Sequence, residues 1–220
     1  MYKLALFPLN TVLFPGIPIQ LHIFEPRYRM MMRRCLDTQQ PFGVVCIHHG
    51  LEANGPLAEP FQIGCTARIN QVEPLADGRM NLTALGEDRF RVLSFSYDQP
   101  YLEGEVESLP LEQPHSIEIM RGVRRLSWKV SQYLQLIRQS DPNSELDLAQ
   151  IHLPEDPLAL LNLSAALLQV PAAEKQPLLE VVYAREMLAL LERLYRRELV
   201  MLKSFLRQDQ PSPDQTVWLN

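Results

Sequence analysis

Apolar residues recur at every second position through the first half of the chain and at every third or fourth through the second, with the change near residue 113. The first spacing belongs to strands and the second to helices. Lys3–Phe7 and Thr11–Phe14 read as short extended runs, and Pro15-Gly16 as a turn. Ile17, Ile19, Leu21 and Ile23 alternate with Pro18, Gln20 and His22, so the strand has one aliphatic face, and its proline marks an edge. Glu25-Pro26 opens a helix to about Leu36, because proline suits the first helical position. Phe42–Ile47 is continuously apolar and reads as a buried strand, followed by a loop from His48 to Pro60. Ile63, Cys65, Ala67 and Ile69 then share a face, Asp77-Gly78 makes a tight turn, and Met80, Leu82 and Ala84 point inward. Gly86–Asp88 is expected to turn the chain again, with Phe90 and Val92 continuing the inner face. Tyr101–Leu109 is the last strand, with Leu102, Gly104 and Val106 on one side.

In the second half, Ser116 is placed to cap a helix to about Gln139, along which Ile119, Val123, Leu126, Val130, Tyr133 and Ile137 form a stripe. Asp141–Leu153 is a polar connection. Asp156-Pro157 caps a helix to about Gln169, which Val170-Pro171 ends. A short helical segment passes through Glu174 and Leu179. A long helix then runs from about Val181 to Arg207, with Ala184, Leu188, Leu191, Tyr195, Leu199, Leu202 and Leu206 on its buried face and Glu192–Arg196 paired on its wet side. Such stripes need partners, so these helices are expected to pack as an antiparallel bundle. The pattern divides the chain into a β-rich part at 1–113, a helical part at 114–210 and a polar tail at 211–220.

Composition narrows the function. At 220 residues, with 46% apolar and 21% charged, the chain can bury a sizeable core. Its 21 basic and 26 acidic residues give −5, and residues 1–113 hold 9 basic against 13 acidic. That balance argues against nucleic acid or an anionic membrane as a partner. No apolar run approaches the ~18 residues of a membrane span, and the first residues do not read as a signal peptide. Cys35, Cys46 and Cys65 are odd in number, scattered and set in apolar sequence, so reduced thiols and a cytoplasmic protein are expected.

Candidate chemistry is sparse. In Phe24-Glu25-Pro26-Arg27-Tyr28, Glu25 could be a base and Arg27 an anion clamp, but a carboxylate at a helix N-terminus, free to accept its open N–H groups, is the structural reading. Cys46-Ile47-His48-His49 offers zinc-ligand types without the spacing or fourth ligand of a closed site. No Gly-x-Ser-x-Gly elbow is present, and Lys203 and Ser204 diverge on a helix. Cys35 follows two arginines yet sits on an amphipathic helix, which favours burial. Met30-Met31-Met32 supplies adaptable apolar surface as well as core. Arg89 and Arg91 share a strand face opposite Glu103, Glu105 and Glu107, either as a solvated sheet face or as an arginine-lined anion site.

Leu4–Gly16 (LALFPLNTVLFPG) resembles the opening of the Lon protease N-terminal, substrate-binding domain. The resemblance sharpens at Ile23–Tyr28. It returns at Ile63–Ile69, Asp77–Arg79, Gly86–Val92 (with Gly86, Arg89 and Phe90) and Glu174–Glu180, covering roughly residues 2–207. It departs at Met187, where an arginine is common in the family, and at Cys65, where a small or β-branched residue is common. The resemblance implies an α+β fold: a twisted β-barrel-like subdomain similar to the PUA fold, then a helical bundle. It implies binding of polypeptide without chemistry on it, and no Gly-x-x-x-x-Gly-Lys-Ser/Thr loop is present to hold a nucleotide.

The expected function is therefore a non-catalytic module that captures exposed hydrophobic segments of unfolded or degron-bearing polypeptides, as an adaptor for a protease or ATPase in trans. No cofactor or metal is expected, and the protein should be a monomer or weak homodimer. Phe14, Ile17, Ile19, Met31 and Tyr97 are the candidate groove residues, on the β part or at its junction with the bundle. Phe24, Glu25, Pro26, Arg27, Tyr28, Gly86, Arg89 and Phe90 are expected to be structural. A small hydrolase near Glu25 or Cys46, and a PUA-like RNA binder, are the alternatives. Trp218 and Leu219 in the tail are expected to dock in an apolar groove as a client mimic.

Overall fold

Among the described residues six strands and one helix come first and four helices follow: β1 (Tyr2–Leu9), β2 (Pro18–Ile23), α1 (Pro26–Thr38), β3 (Phe42–His49), β4 (Glu59–Pro74), β5 (Met80–Ser96), β6 (Leu102–Ser108), α2 (Ile117–Ser140), α3 (Pro157–Leu167), α4 (Ala172–Glu180) and α5 (Ala184–Gln208). The structure is a computed structural model that describes residues 1–50, 59–140 and 152–208. The tail with Trp218 and Leu219, residues 51–58 of the loop and most of the 141–153 connection lie outside the described residues.

The strands form one mixed sheet in the order β2-β5-β4-β3-β1-β6, and β5 also pairs with β6. The sheet therefore curls back on β5, whose length lets its first half carry β2 and its second half carry β6. β1 and β3 are parallel, with α1 in the crossover that parallel neighbours require. Leu4, Leu6, Val45, Phe90, Val92, Leu102 and Val106 fill the interior of the curl. A second cluster packs α1, through Tyr28, Met31, Met32 and Cys35, on the sheet's Phe7, Phe42 and Val44. The result is the α+β, barrel-like arrangement expected.

Gly86–Asp88 does not turn the chain; β5 runs through it. Cys65 pairs with Arg89 and Ala67 with Gly86, so two residues of β5 oppose one of β4 in a bulge. The Thr66 hydroxyl accepts from the displaced Asp88 N–H at 3.0 Å. A glycine is required at 86 because a Cβ there would overlap the Phe14 carbonyl. Thr11–Phe14 joins no ladder, yet Val12, Leu13 and Phe14 are buried.

The α2 stripe is buried as expected, as are Ala184, Leu188, Leu191, Tyr195 and Leu199 of α5, while Leu202 and Leu206 are half-buried. The direction of packing is not as expected. Gly122 meets Leu188, Lys129 reaches Glu192 at 3.6 Å, and the Tyr133 and Tyr195 rings lie 5.3 Å apart. Both sets of numbers rise together, so α2 and α5 run parallel, which the long stretch between them permits. Glu174 of α4 meets Arg197 and Pro177 lies by Leu190, so α4 and α5 are antiparallel. Glu192 turns to Lys129 and Arg125 of α2 instead of pairing with Arg196. The bundle core also takes in Val12, Phe14 and Cys46, which seats the helices on the strands. Among the described residues no helix is long and apolar enough to cross a membrane.

Candidate functional site

The expected structural residues are mostly fixed in place by short-range chemistry. Glu25 is the N-cap of α1 by backbone, but its carboxylate caps no N–H; it accepts from Arg27 Nε at 2.9 Å. The Arg27 guanidinium lies 4.6 Å from the Tyr28 ring, and Tyr28 packs edge-on to Phe7 at 4.4 Å. Phe24 does not pack inward: it is 44% exposed and stacks on His22. Phe90 is fully buried.

Arg89 corrects the solvated-face reading. Only Arg91 meets a facing glutamate, Glu107 at 3.2 Å, while Arg34 of α1 takes Glu103. Arg89 is buried and donates to three carbonyls: Leu109 at 3.1 Å, Leu179 at 2.8 Å and Val181 at 2.7 Å. Leu179 and Val181 lie at the C-terminal end of α4, where free carbonyls and the helix dipole favour a cation. Burial pulls its pKa down to about 10. This guanidinium is a rivet between strand and helix, held through Nε and Nη1, while its buried Nη2 has no hydrogen-bond partner among the described residues.

The candidate nucleophile Cys46 is buried in the bundle core, and its thiol faces the Ile47 carbonyl at 3.7 Å. Burial raises its pKa, so a thiolate is disfavoured. His48 and His49 are exposed and contact each other, and His48 contacts Phe61. Among the described residues no group of three His, Cys, Asp or Glu side chains is placed to hold a metal ion.

The five expected groove residues do not share a surface. Phe14 and Met31 are fully buried, one in the bundle core and one under α1, so neither can line an open groove. Their neighbours saturate the apolar contacts that made them attractive in sequence. Ile17 and Ile19 are half-buried at β2, and Tyr97 is 54% exposed just after β5.

A concavity of about 790 Å³ lies elsewhere, between the first turns of α2 and the start of α3. Val123 and Leu160 form its buried floor, and Ile117, Met120, Arg121 and Arg124 line it further. Ile117 is 71% exposed and Met120 51%, and Trp128, 62% exposed, extends the same face. At ~100° per residue, Trp128 points opposite to Ile119, so α2 turns an apolar stripe inward and sets three large apolar residues outward among Arg121 and Arg124. The mouth is pinned by Asp156, the N-cap of α3, which accepts from Ala159 N–H at 2.8 Å and meets His115 Nε2 at 2.9 Å. Those bonds hold the Asp156 carboxyl below its usual range, the Ala159 amide first and His115 second. Sequence reading missed this face; its signal was apolar residues off the buried stripe on an otherwise charged helix surface.

Comparison with known proteins gives a consistent answer. Residues 3–197 match the ATP-dependent protease La (LON) substrate-binding domain. A Lon protease of Methylocella silvestris is 30% identical over 175 residues, which is 79% of this chain and 21% of that protein. A Schizosaccharomyces pombe LON peptidase N-terminal domain and RING finger protein is 33% identical over 101 residues, 41% of this chain and 21% of that one. The chain thus spans about a fifth of the length of these relatives. Among solved structures, a Lon N-terminal domain protein from Xanthomonas campestris superposes with a TM-score of 0.60 at 25% identity, covering 88% of this chain and 98% of that one. The N-terminal domain of a Mycobacterium avium complex Lon protease gives 0.64 at 19%, covering 89% and 98%, and speaks for the fold alone. With the motifs, the curled sheet and the family match in agreement over most of its length, the chain belongs to the Lon substrate-binding domain family.

Proposed function

We propose that this chain is a non-catalytic polypeptide-binding module that receives exposed apolar segments of client proteins in the α2–α3 cleft. The observation that carries the reading is the outward apolar face of α2: Ile117, Met120 and Trp128 are exposed beside a concavity large enough for side chains. Burying one large apolar side chain contributes ~1.5–3 kcal/mol. Two such anchors supply about 3–6 kcal/mol, so after the cost of ordering the Kd falls between roughly millimolar and tens of micromolar, which suits release. Arg121 and Arg124 at the cleft favour acidic residues beside the apolar ones. The relatives named Lon protease support placing the module in proteolysis; within it, the proposed role is an adaptor handing clients to a protease or ATPase in trans. A cytoplasmic location fits that role.

The test is fluorescence anisotropy with a labelled amphipathic peptide carrying leucines at helical spacing and a glutamate-rich end. Met120→Asp and Ile117→Asp, both on exposed positions, should weaken binding about tenfold or more without lowering the unfolding midpoint. Unchanged affinity in both variants would remove the cleft from consideration.

A further inference from the structure

Among the described residues strand β2 is bonded on one side only, by β5. Its ladder alternates. The Gly86 N–H donates to the Ile17 carbonyl at 3.0 Å, and the register continues through Ile19↔Ala84, Leu21↔Leu82 and Ile23↔Met80. Odd-numbered residues therefore turn their backbone groups toward β5, and even-numbered ones turn theirs to the opposite side. Pro18 agrees with this phase, since its missing N–H falls where no partner stands. The open edge presents two donors, the N–H groups of Gln20 and His22, and three acceptors, the carbonyls of Pro18, Gln20 and His22. Gln20 and His22 are exposed, and no described residue bonds those groups.

The side chains beside the edge define what would fit. Ile17, Ile19 and Leu21 are half-buried and pack on the core beneath α1, so their outer flanks form an apolar row. On the other face, Gln20 and His22 border a polar hollow with Gln71, Glu73, Asn81 and Thr83. The Glu73 carboxylate accepts from Asn81 Nδ2 at 3.2 Å and has no cation within ion-pair reach among the described residues. His22 is held by Asn81 Oδ1 at 2.7 Å, by Arg79 Nη1 at 3.4 Å and by the stack on Phe24, and Arg79 itself is paired with Asp77. The edge is thus exposed and braced.

We propose that the open edge of β2 is a strand-addition site that takes an extended client segment with apolar residues at alternate positions and a basic residue between them. The main-chain bonds supply affinity without sequence demands, the Ile19–Leu21 row takes the apolar side chains, and Glu73 takes the basic one. A second copy of the chain fits less well. Pairing two β2 edges about Gln20 sets Pro18 against His22 twice, and three residue pairs with two bonds each would then lose two of six bonds. The inference rests on the polypeptide-binding reading only for the nature of the occupant.

The probe is a capped seven-residue peptide alternating valine with threonine and lysine, which has no helical periodicity and so does not report on the cleft. Amide hydrogen exchange is read by NMR. In the free protein the Gln20 and His22 amides should exchange rapidly and those of Ile19 and Leu21 slowly. Saturating peptide should slow Gln20 and His22 about tenfold, and Gln20→Pro, which deletes one outward donor, should weaken binding by a similar factor. Because a proline could disturb β2, the wild-type protein is also tested with the peptide N-methylated at alternate amides in each phase. One phase should abolish binding and the other leave it intact. Unaltered exchange at Gln20 and His22, or equal binding by both methylated peptides, overturns the proposal. So does protection of those amides that grows with protein concentration in the absence of peptide, which would assign the edge to a second copy. Unchanged affinity for the amphipathic peptide in both Met120→Asp and Ile117→Asp, with edge protection retained, would sink the cleft reading alone.

Discussion

Arg89 shows how a single side chain can mislead a reader of sequence. Beside Arg91 and opposite three glutamates it looks like one charge of a surface ladder, yet its partners are carbonyls at a strand end and a helix end. Carbonyls carry no residue signature, so nothing in the sequence could name them. Lys175 repeats the device, donating to the Ala166 carbonyl near the end of α3. Arg89→Met should leave three buried carbonyls without their donor and cost about 3 kcal/mol, read from urea midpoints, while Arg89→Lys should recover only part of it. The thiols permit a second test. Burial pushes Cys35 up to about 11 and Cys65 to about 12, from an ordinary 9.0. In the unfolded chain these groups lose their protons near the ordinary value, while in the fold they stay neutral. Stability from this source is therefore complete below pH ~9 and drains away as pH climbs toward 11–12. Cys65→Ala should flatten that alkaline loss in urea titrations, and thiol reagents at pH 8 should label all three cysteines only after unfolding.

At the scale of elements, pattern was a good guide where burial is one-sided and local. Asp156-Pro157 marks the start of α3, and the structure confirms the side-chain cap on Ala159. Asp156→Ala should cost about 1 kcal/mol. Acid should do the same gradually: the carboxyl sits below 3.8, so its contribution is present above that value and is lost as pH falls through the lowered one. An unfolding midpoint in Asp156→Ala as acid-sensitive as in the wild type would contradict this. Pattern failed at Gly86–Asp88, because a bulge inside a long strand and a turn between two strands use the same residues. It failed also on helix direction, since a stripe says which face is covered and nothing about which way the neighbour runs. Gly122 is where α2 and α5 come close: a Cβ would collide with Leu188. Gly122→Val should therefore destabilise the bundle by about 1–3 kcal/mol, measured by thermal or urea unfolding.

For the whole molecule, the family and the barrel-like fold were legible in spaced motifs, whereas the proposed cleft was not. Phe14 and Met31 drew attention because they are large and apolar, and for that reason the core absorbed them. The exposed face of α2 becomes visible only once α3 is seen to leave it uncovered. The two kinds of force at the cleft should separate in solution. Met120→Asp should lower affinity for the amphipathic peptide at every ionic strength. Arg124→Glu should lower it chiefly at low salt, with the two curves converging as salt screens the charge, and a salt-independent loss would deny Arg124 an electrostatic role.

The closure of the sheet has a consequence for how the protein comes into being. Tyr2–Leu6 of β1 find their antiparallel partners in residues 102–106 of β6. Synthesis must therefore run about a hundred residues past β1 before that strand can be sealed on that side, and no local hairpin can stand in meanwhile. Nascent chains arrested short of Leu102 should aggregate or recruit chaperones, and those extended past Leu109 should begin to resist protease.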